Sequence, residues 1–177
     1  MTSDRNNHFR GFSLVELVIV LVILGVVSAI AVVRIDSSKR KAAEAALRVN
    51  LKTIRKAIDR YYLEHHNTYP GVRPAGAFPA FSAAAFKAQL LWYSDIRGNV
   101  SENKDPAFPL GPYLRGQIRP LPLGTNAGER TIYMVNQVAE VAAEVPQGKG
   151  WIYNPTTGQF IANADRIGTD GVTYDKY

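Results

Sequence analysis

The chain has 177 residues, 46% of them hydrophobic, with 21 basic and 15 acidic side chains and no cysteine. That length suits one compact domain with an added element rather than two full domains. Without cysteine, a disulfide framework, a thiolate metal site and a cysteine nucleophile are all excluded. The net charge of +6 is unevenly placed: residues 34 to 66 hold nine basic against four acidic residues (+5), residues 67 to 177 ten against nine (+1). A basic stretch can serve nucleic acid, anionic headgroups or acidic protein neighbours. Here it follows an apolar run, which favours headgroups or protein and argues against nucleic acid.

From Phe12 to Val33 every residue is apolar or small except Glu16, a run of 22 residues in sequence. As a helix it covers roughly 33 Å, enough for a bilayer core. A cleaved secretory signal has an apolar region of only about 7 to 15 residues, so this run is too long for one. Beyond it, Leu47, Leu51, Ile54, Ile58, Tyr61 and Tyr62 recur at three- and four-residue spacing between basic side chains, and neither proline nor glycine occurs from Val26 to Thr68. The pattern predicts a single helix from Phe12 to His66, apolar in its first half and amphipathic in its second.

After Tyr69-Pro70-Gly71 the composition turns to proline, glycine and aromatic residues. Phe81 to Tyr93 reads as a short second helix, and Thr131 to Val135 as a strand. Trp151 to Tyr153 and Gln159 to Ala162 read as two strands joined by a turn. Val138 to Val145 fits either a strand or a helix. The expected fold class is α+β: a small antiparallel sheet packed on the amphipathic half of the long helix.

Gly11-Phe12-Ser13-Leu14-Val15-Glu16, behind a short basic leader and ahead of the apolar run, resembles the processing motif of type IV prepilins and type II secretion pseudopilins. Tyr61-Tyr62 through Gly71, the Gly111-Pro112-Tyr113 region and the Gly150 to Gly158 hairpin are similar to G-type major pseudopilins. The resemblance implies a leader at 1–11, a transmembrane segment at 12–33, an amphipathic helix at 34–66 and a periplasmic globular domain at 67–177. A prepilin peptidase would cleave between Gly11 and Phe12 and methylate the new Phe12 amine. Glu16 would then neutralise that amine during assembly of a homo-oligomeric helical filament, within one chain or across two. The implied partners are the peptidase, other pseudopilins, an inner-membrane assembly platform and membrane lipid. Where pilins of this family carry a proline late in the apolar run, this chain has Val33.

The implied topology is a single pass of the bacterial inner membrane, amino terminus inside. Charge alone does not favour that orientation, since Arg5 and Arg10 precede the run while Arg34, Lys39, Arg40 and Lys41 follow it. Two rival functions stand beside the pseudopilin: a type IV pilus subunit for adhesion or motility, and a tethered periplasmic binding domain that never polymerises.

Asp165, Asp170 and Asp175, five residues apart, could gather oxygen ligands for calcium, which G-type pseudopilins hold near this end, or be ordinary turn aspartates; they do not fit an EF-hand loop. Glu64-His65-His66 invites a metal reading, but adjacent helical side chains diverge by about 100°, so a solvated helix end is expected. Asn99-Val100-Ser101 is a glycosylation sequon in form. The loop from Gly124 to Gly128 lacks the strand and lysine of a phosphate site. No arrangement of catalytic residues emerges, and the chain is not expected to be an enzyme.

Overall fold

The computed structural model describes residues 13–143 and 146–177, with side chains at 29–37 outside that description. The leader, Gly11, Phe12 and the side chain of Val33 therefore lie outside the described residues. Helix α1 runs Leu14–Glu64 and helix α2 Ala83–Leu91, followed by strands β1 (Tyr93–Ser94), β2 (Val100–Ser101), β3 (Ile132–Met134), β4 (Trp151–Tyr153) and β5 (Phe160–Ala162), and a 3-10 turn at Tyr174–Lys176. The chain divides into two compact units between Arg40 and Lys41. Residues 41–64 of α1 thus belong to the same unit as the chain that follows the helix.

Within the second unit, α1 buries Leu47, Leu51, Ile54, Ile58 and Tyr61 to 4% exposure or less, the seam expected from their spacing. These side chains share one core with Phe86 and Leu90 of α2, Trp151 and Tyr153 of β4, and Phe160 of β5. Aromatic contacts knit its centre, with Phe86 and Tyr153 centroids 4.1 Å apart and Trp151 and Phe160 5.3 Å apart. Helix α1 ends where His66 and Asn67 adopt positive φ (52° and 56°), and the Asn67 amide closes the last turn by donating to the Tyr62 carbonyl. Helix α2 is capped by Ser82, whose hydroxyl oxygen accepts from the Ala85 amide at 3.1 Å. Phe81, at φ 57°, lies outside it, so the helix is shorter at both ends than its composition suggests.

The sheet departs from the expected antiparallel arrangement. Its order is β3-β4-β5, with β4 and β5 antiparallel but β3 and β4 parallel. Parallel pairing needs a crossover of about a dozen residues or more, and the chain from Val135 to Gly150 supplies it. The described part of Val138 to Val145 lies in that crossover and is neither helix nor strand. Gln159 explains why: its side-chain carbonyl accepts from the Val141 amide at 2.7 Å and its nitrogen donates to the Val141 carbonyl at 3.2 Å. A side chain satisfies the backbone there, so no ladder is required. Strands β1 and β2 form a separate two-stranded hairpin, its turn held by Asp95 Oδ1, which accepts from the Arg97 and Asn99 amides at 2.9 Å.

His65 corrects the expectation of a solvated helix end. It is 1% exposed and stacks on Tyr61 with ring centroids 3.6 Å apart. Its Nδ1 lies 2.9 Å from the Tyr61 carbonyl and its Nε2 3.1 Å from the Ser94 hydroxyl. A proton on Nδ1 donates to the carbonyl and leaves Nε2 to accept from Ser94, so both nitrogens are satisfied by the neutral ring. Burial holds the His65 pKa below 6.5, while the Tyr61 carbonyl and the carboxylates of Glu64 and Asp95 oppose the shift. A histidine whose folded pKa is depressed contributes stability that is fully present above pH 6.5 and lost as pH falls below it. The urea midpoint is expected to fall between pH 7 and pH 5, and His65→Gln to flatten that slope. Glu64 and Asp95, themselves held below their ordinary carboxylate values, act only in a more acidic window. A wild-type midpoint constant over that interval would show that the ring charges without penalty.

Candidate functional site

The first unit presents the beginning of α1. Ser13 precedes the helix, and its carbonyl accepts the first helical bond from the Leu17 amide at 3.1 Å. Glu16 stands in the first turn, three residues after Ser13, where a carboxylate is favoured by the unpaired amides of a helix start. Its side chain is exposed. The large apolar residues from Leu14 to Val27 are exposed on every face of the helix, from 46% at Val20 to 79% at Leu14. An amphipathic helix would bury a stripe; this one has none, so its apolar surface asks for lipid or other helices on all sides.

Among the described residues, no helix is long and apolar enough to cross a membrane. The apolar stretch with described side chains, Leu14 to Ser28, is 15 residues, roughly 22 Å as a helix and short of a bilayer core. The rest of the apolar run, residues 12–13 and 29–33, falls outside that stretch.

The three aspartates are not brought together. Asp170 accepts from the Tyr177 hydroxyl at 2.8 Å and the Val172 amide at 3.1 Å, and pairs with Arg48 at 2.5 Å. The Tyr177 bond is foremost in holding its pKa below 3.8. Asp175 is turned to the Ala143 amide at 3.5 Å, and Asp165 is exposed. Among the described residues no group of three His, Asp or Glu side chains could hold a metal ion. Asp170 and Asp175 instead tie the loop to the rest of the domain.

Further attachments are made to α1. Glu44 is 1% exposed; its carboxylate accepts from the Thr169 amide at 3.0 Å, the Thr169 hydroxyl at 2.5 Å and the Tyr174 hydroxyl at 3.1 Å. Arg48 covers the Tyr177 ring at 4.0 Å, and Arg55 donates to the Phe160 and Tyr177 carbonyls at 2.9 and 2.8 Å. Arg60 pairs with Glu64 at 2.9 Å. Three arginines of the basic stretch therefore serve the domain itself. Lys39, Lys41, Lys52 and Lys56 remain exposed.

Sequence reasoning passed over Glu44, yet a signal existed. Glu44, Leu47, Leu51, Ile54, Ile58, Tyr61 and His65 advance by three and four residues in turn, so both polar residues occupy the buried seam's two ends. Removing the Glu44 carboxylate leaves three donors without their acceptor, and each such loss costs about 1 to 3 kcal/mol, partly offset by sparing the burial of a charge. Glu44→Ala is expected to cost about 3 kcal/mol and to free the Thr169 amide to exchange. Tyr174→Phe, which removes one donor and keeps the ring, is expected to cost about 1 kcal/mol. Chemical denaturation and amide exchange of both variants check this, and equal losses would deny the carboxylate its role.

Compared with known proteins, residues 6–32 match the family model of the prokaryotic N-terminal methylation motif. No curated protein and no solved structure matches the chain. The motif supports the resemblance to prepilin-like chains, without distinguishing pilin from pseudopilin, and it implies processing by a prepilin peptidase and assembly into a filament; the long amino-terminal helix and small mixed sheet described above are consistent with a pilin-like α+β fold.

Proposed function

We propose that this chain is a structural filament subunit rather than an enzyme: a pseudopilin of a type II secretion system, anchored by a single pass of the inner membrane with its domain in the periplasm. The observation that carries the reading is the helix from Leu14 to Val27, apolar and exposed on every face, beginning within a methylation motif. Such a surface suits lipid before assembly and the helices of neighbouring subunits after it. Contacts that repeat head to tail without closing generate a filament.

Glu16 fits this role through charge. Cleavage between Gly11 and Phe12 creates an α-ammonium group, and methylation leaves its charge in place. A carboxylate in the first turn can pair with it, and the pair is satisfied in only one axial register between subunits. The assembly platform and other pseudopilins are the implied partners. The absence of cysteine, and hence of a carboxy-terminal disulfide loop, favours the pseudopilin over the pilus subunit.

Two measurements test the reading. Intact-mass analysis of Gly11→Leu is expected to show the leader retained where the wild type has lost it; normal processing of that variant would remove the peptidase claim. Lys39, Lys41, Lys52 and Lys56 are exposed amines. An amine-reactive crosslinker applied to cells producing the wild type is expected to yield a ladder of multimers. A single monomer band would leave only the tethered, non-polymerising domain.

A further inference from the structure

A groove of about 410 Å³ opens beside the end of α1, lined by Tyr62, Tyr69 and Phe81 together with Asn67, Asn136 and Thr156, and by no charged side chain. Its volume is that of a small-ligand site, and its lining combines aromatic surface with a few amide and hydroxyl groups.

Phe81 is the informative residue. It is 49% exposed and adopts φ 57°, a left-handed conformation that glycine or asparagine takes with far less strain. Its amide donates to the Gly71 carbonyl at 2.6 Å, which pins the strained backbone in place. A buried aromatic could recover the strain through packing, but a half-exposed one recovers little. Strain kept without burial is a mark of ligand clamps.

The polar side is equally unspent. Thr156 donates to the Asn136 side-chain carbonyl, which orients that amide, while the Asn136 side-chain nitrogen and the Asn67 side-chain amide make no hydrogen bond among the described residues. Tyr62 and Tyr69 are stacked with centroids 4.3 Å apart, fixing one wall. Without charge, the groove offers no ion pair to phosphate, carboxylate or ammonium groups. Aromatic faces attract the weakly positive C–H edges of a ring, and amides match neighbouring hydroxyls as donor and acceptor.

We infer that this groove binds a neutral saccharide, one sugar ring lying against Phe81 with its hydroxyls on Asn67 and Asn136. The site is independent of amino-terminal processing.

The test uses the full chain in dodecylphosphocholine micelles, since maltoside detergents would compete. Maltotriose, cellotriose and chitotriose are titrated while the amides of Tyr62, Tyr69 and Phe81 are followed by NMR. At least one is expected to shift those resonances saturably, with a dissociation constant of about 1 mM, and trigalacturonate to bind more weakly. Phe81→Ala is expected to weaken binding about tenfold. Phe81→Gly is expected to lose binding to the same extent while melting at a higher temperature, because the strain is gone. No shift with any of the three sugars, or shifts unchanged in Phe81→Ala, overturns the proposal. Shifts that follow protein concentration without sugar would assign the groove to a second copy and overturn it as well.

Discussion

Replacing Gly150 by alanine is expected to destabilise the domain by about 4 kcal/mol or more, an effect at the extreme of single substitutions. A methyl at that position would lie 2.2 Å from the Glu129 carbonyl oxygen and 2.9 Å from its carbon. The obstacle is backbone, and it cannot turn aside: the Glu129 carbonyl accepts from the Leu121 amide at 2.9 Å, and the Leu121 carbonyl from Gly128 at 2.8 Å. Gly150 is equally fixed, donating to Thr131 at 3.0 Å and accepting from Asn163 at 2.9 Å. Next to it Trp151, fully buried, donates its indole N–H to the Arg119 carbonyl at 3.1 Å. Any relief by shifting β4 therefore moves the largest side chain of the core, where overpacking of even one methyl group is felt. Gly76 and Gly116 are the controls: both have positive φ but open space around them, so alanine there costs only backbone strain, about 1 kcal/mol. Urea denaturation of the three variants decides the matter. A Gly150→Ala loss no larger than that of the controls would show that the backbone at Glu129 gives way.

The parts of this fold legible in the sequence were those governed by local periodicity. The seam from Leu47 to Tyr61 and the β4 to β5 hairpin depend on residues within a few positions of one another, and both stand where spacing and turn chemistry put them. The parallel pairing of β3 with β4 was not legible, because it rests on a crossover that contains no regular element and is held by the Gln159 side chain. Glu44 was hidden for a different reason. In an alanine-rich helix an acid passes for surface charge, and its partners stand 125 and 130 residues away. His65 was hidden by its polar neighbours Glu64 and His66, although its place four residues after Tyr61 continues the buried seam. Both misreadings judged polarity before position. At the amino terminus the reverse held: Gly11, Phe12 and Glu16 are legible as a motif, and the described helix adds the exposure of every apolar face behind it.

Glu16→Gln is expected to abolish the crosslinked ladder while leaving cleavage after Gly11 intact. The substitution preserves size and removes only the charge, so it separates an ion pair from simple packing. In an apolar filament core the Phe12 ammonium would be left without a counter-charge, and breaking a buried pair in this way costs about 3 to 5 kcal/mol. That is a factor of roughly two to four powers of ten in the association of each subunit. Because every subunit added to a filament meets the same penalty, even the lower figure suffices to stop growth. Glu16→Asp keeps the charge but withdraws it by one methylene, and is expected to retain a shortened ladder. Glu16→Ala should behave like the glutamine variant. If Glu16→Gln assembles as well as the wild type, then charge is not what the position supplies, and the exposed carboxylate at the start of α1 serves only to favour the helix amino terminus, at about 0.3 to 1 kcal/mol.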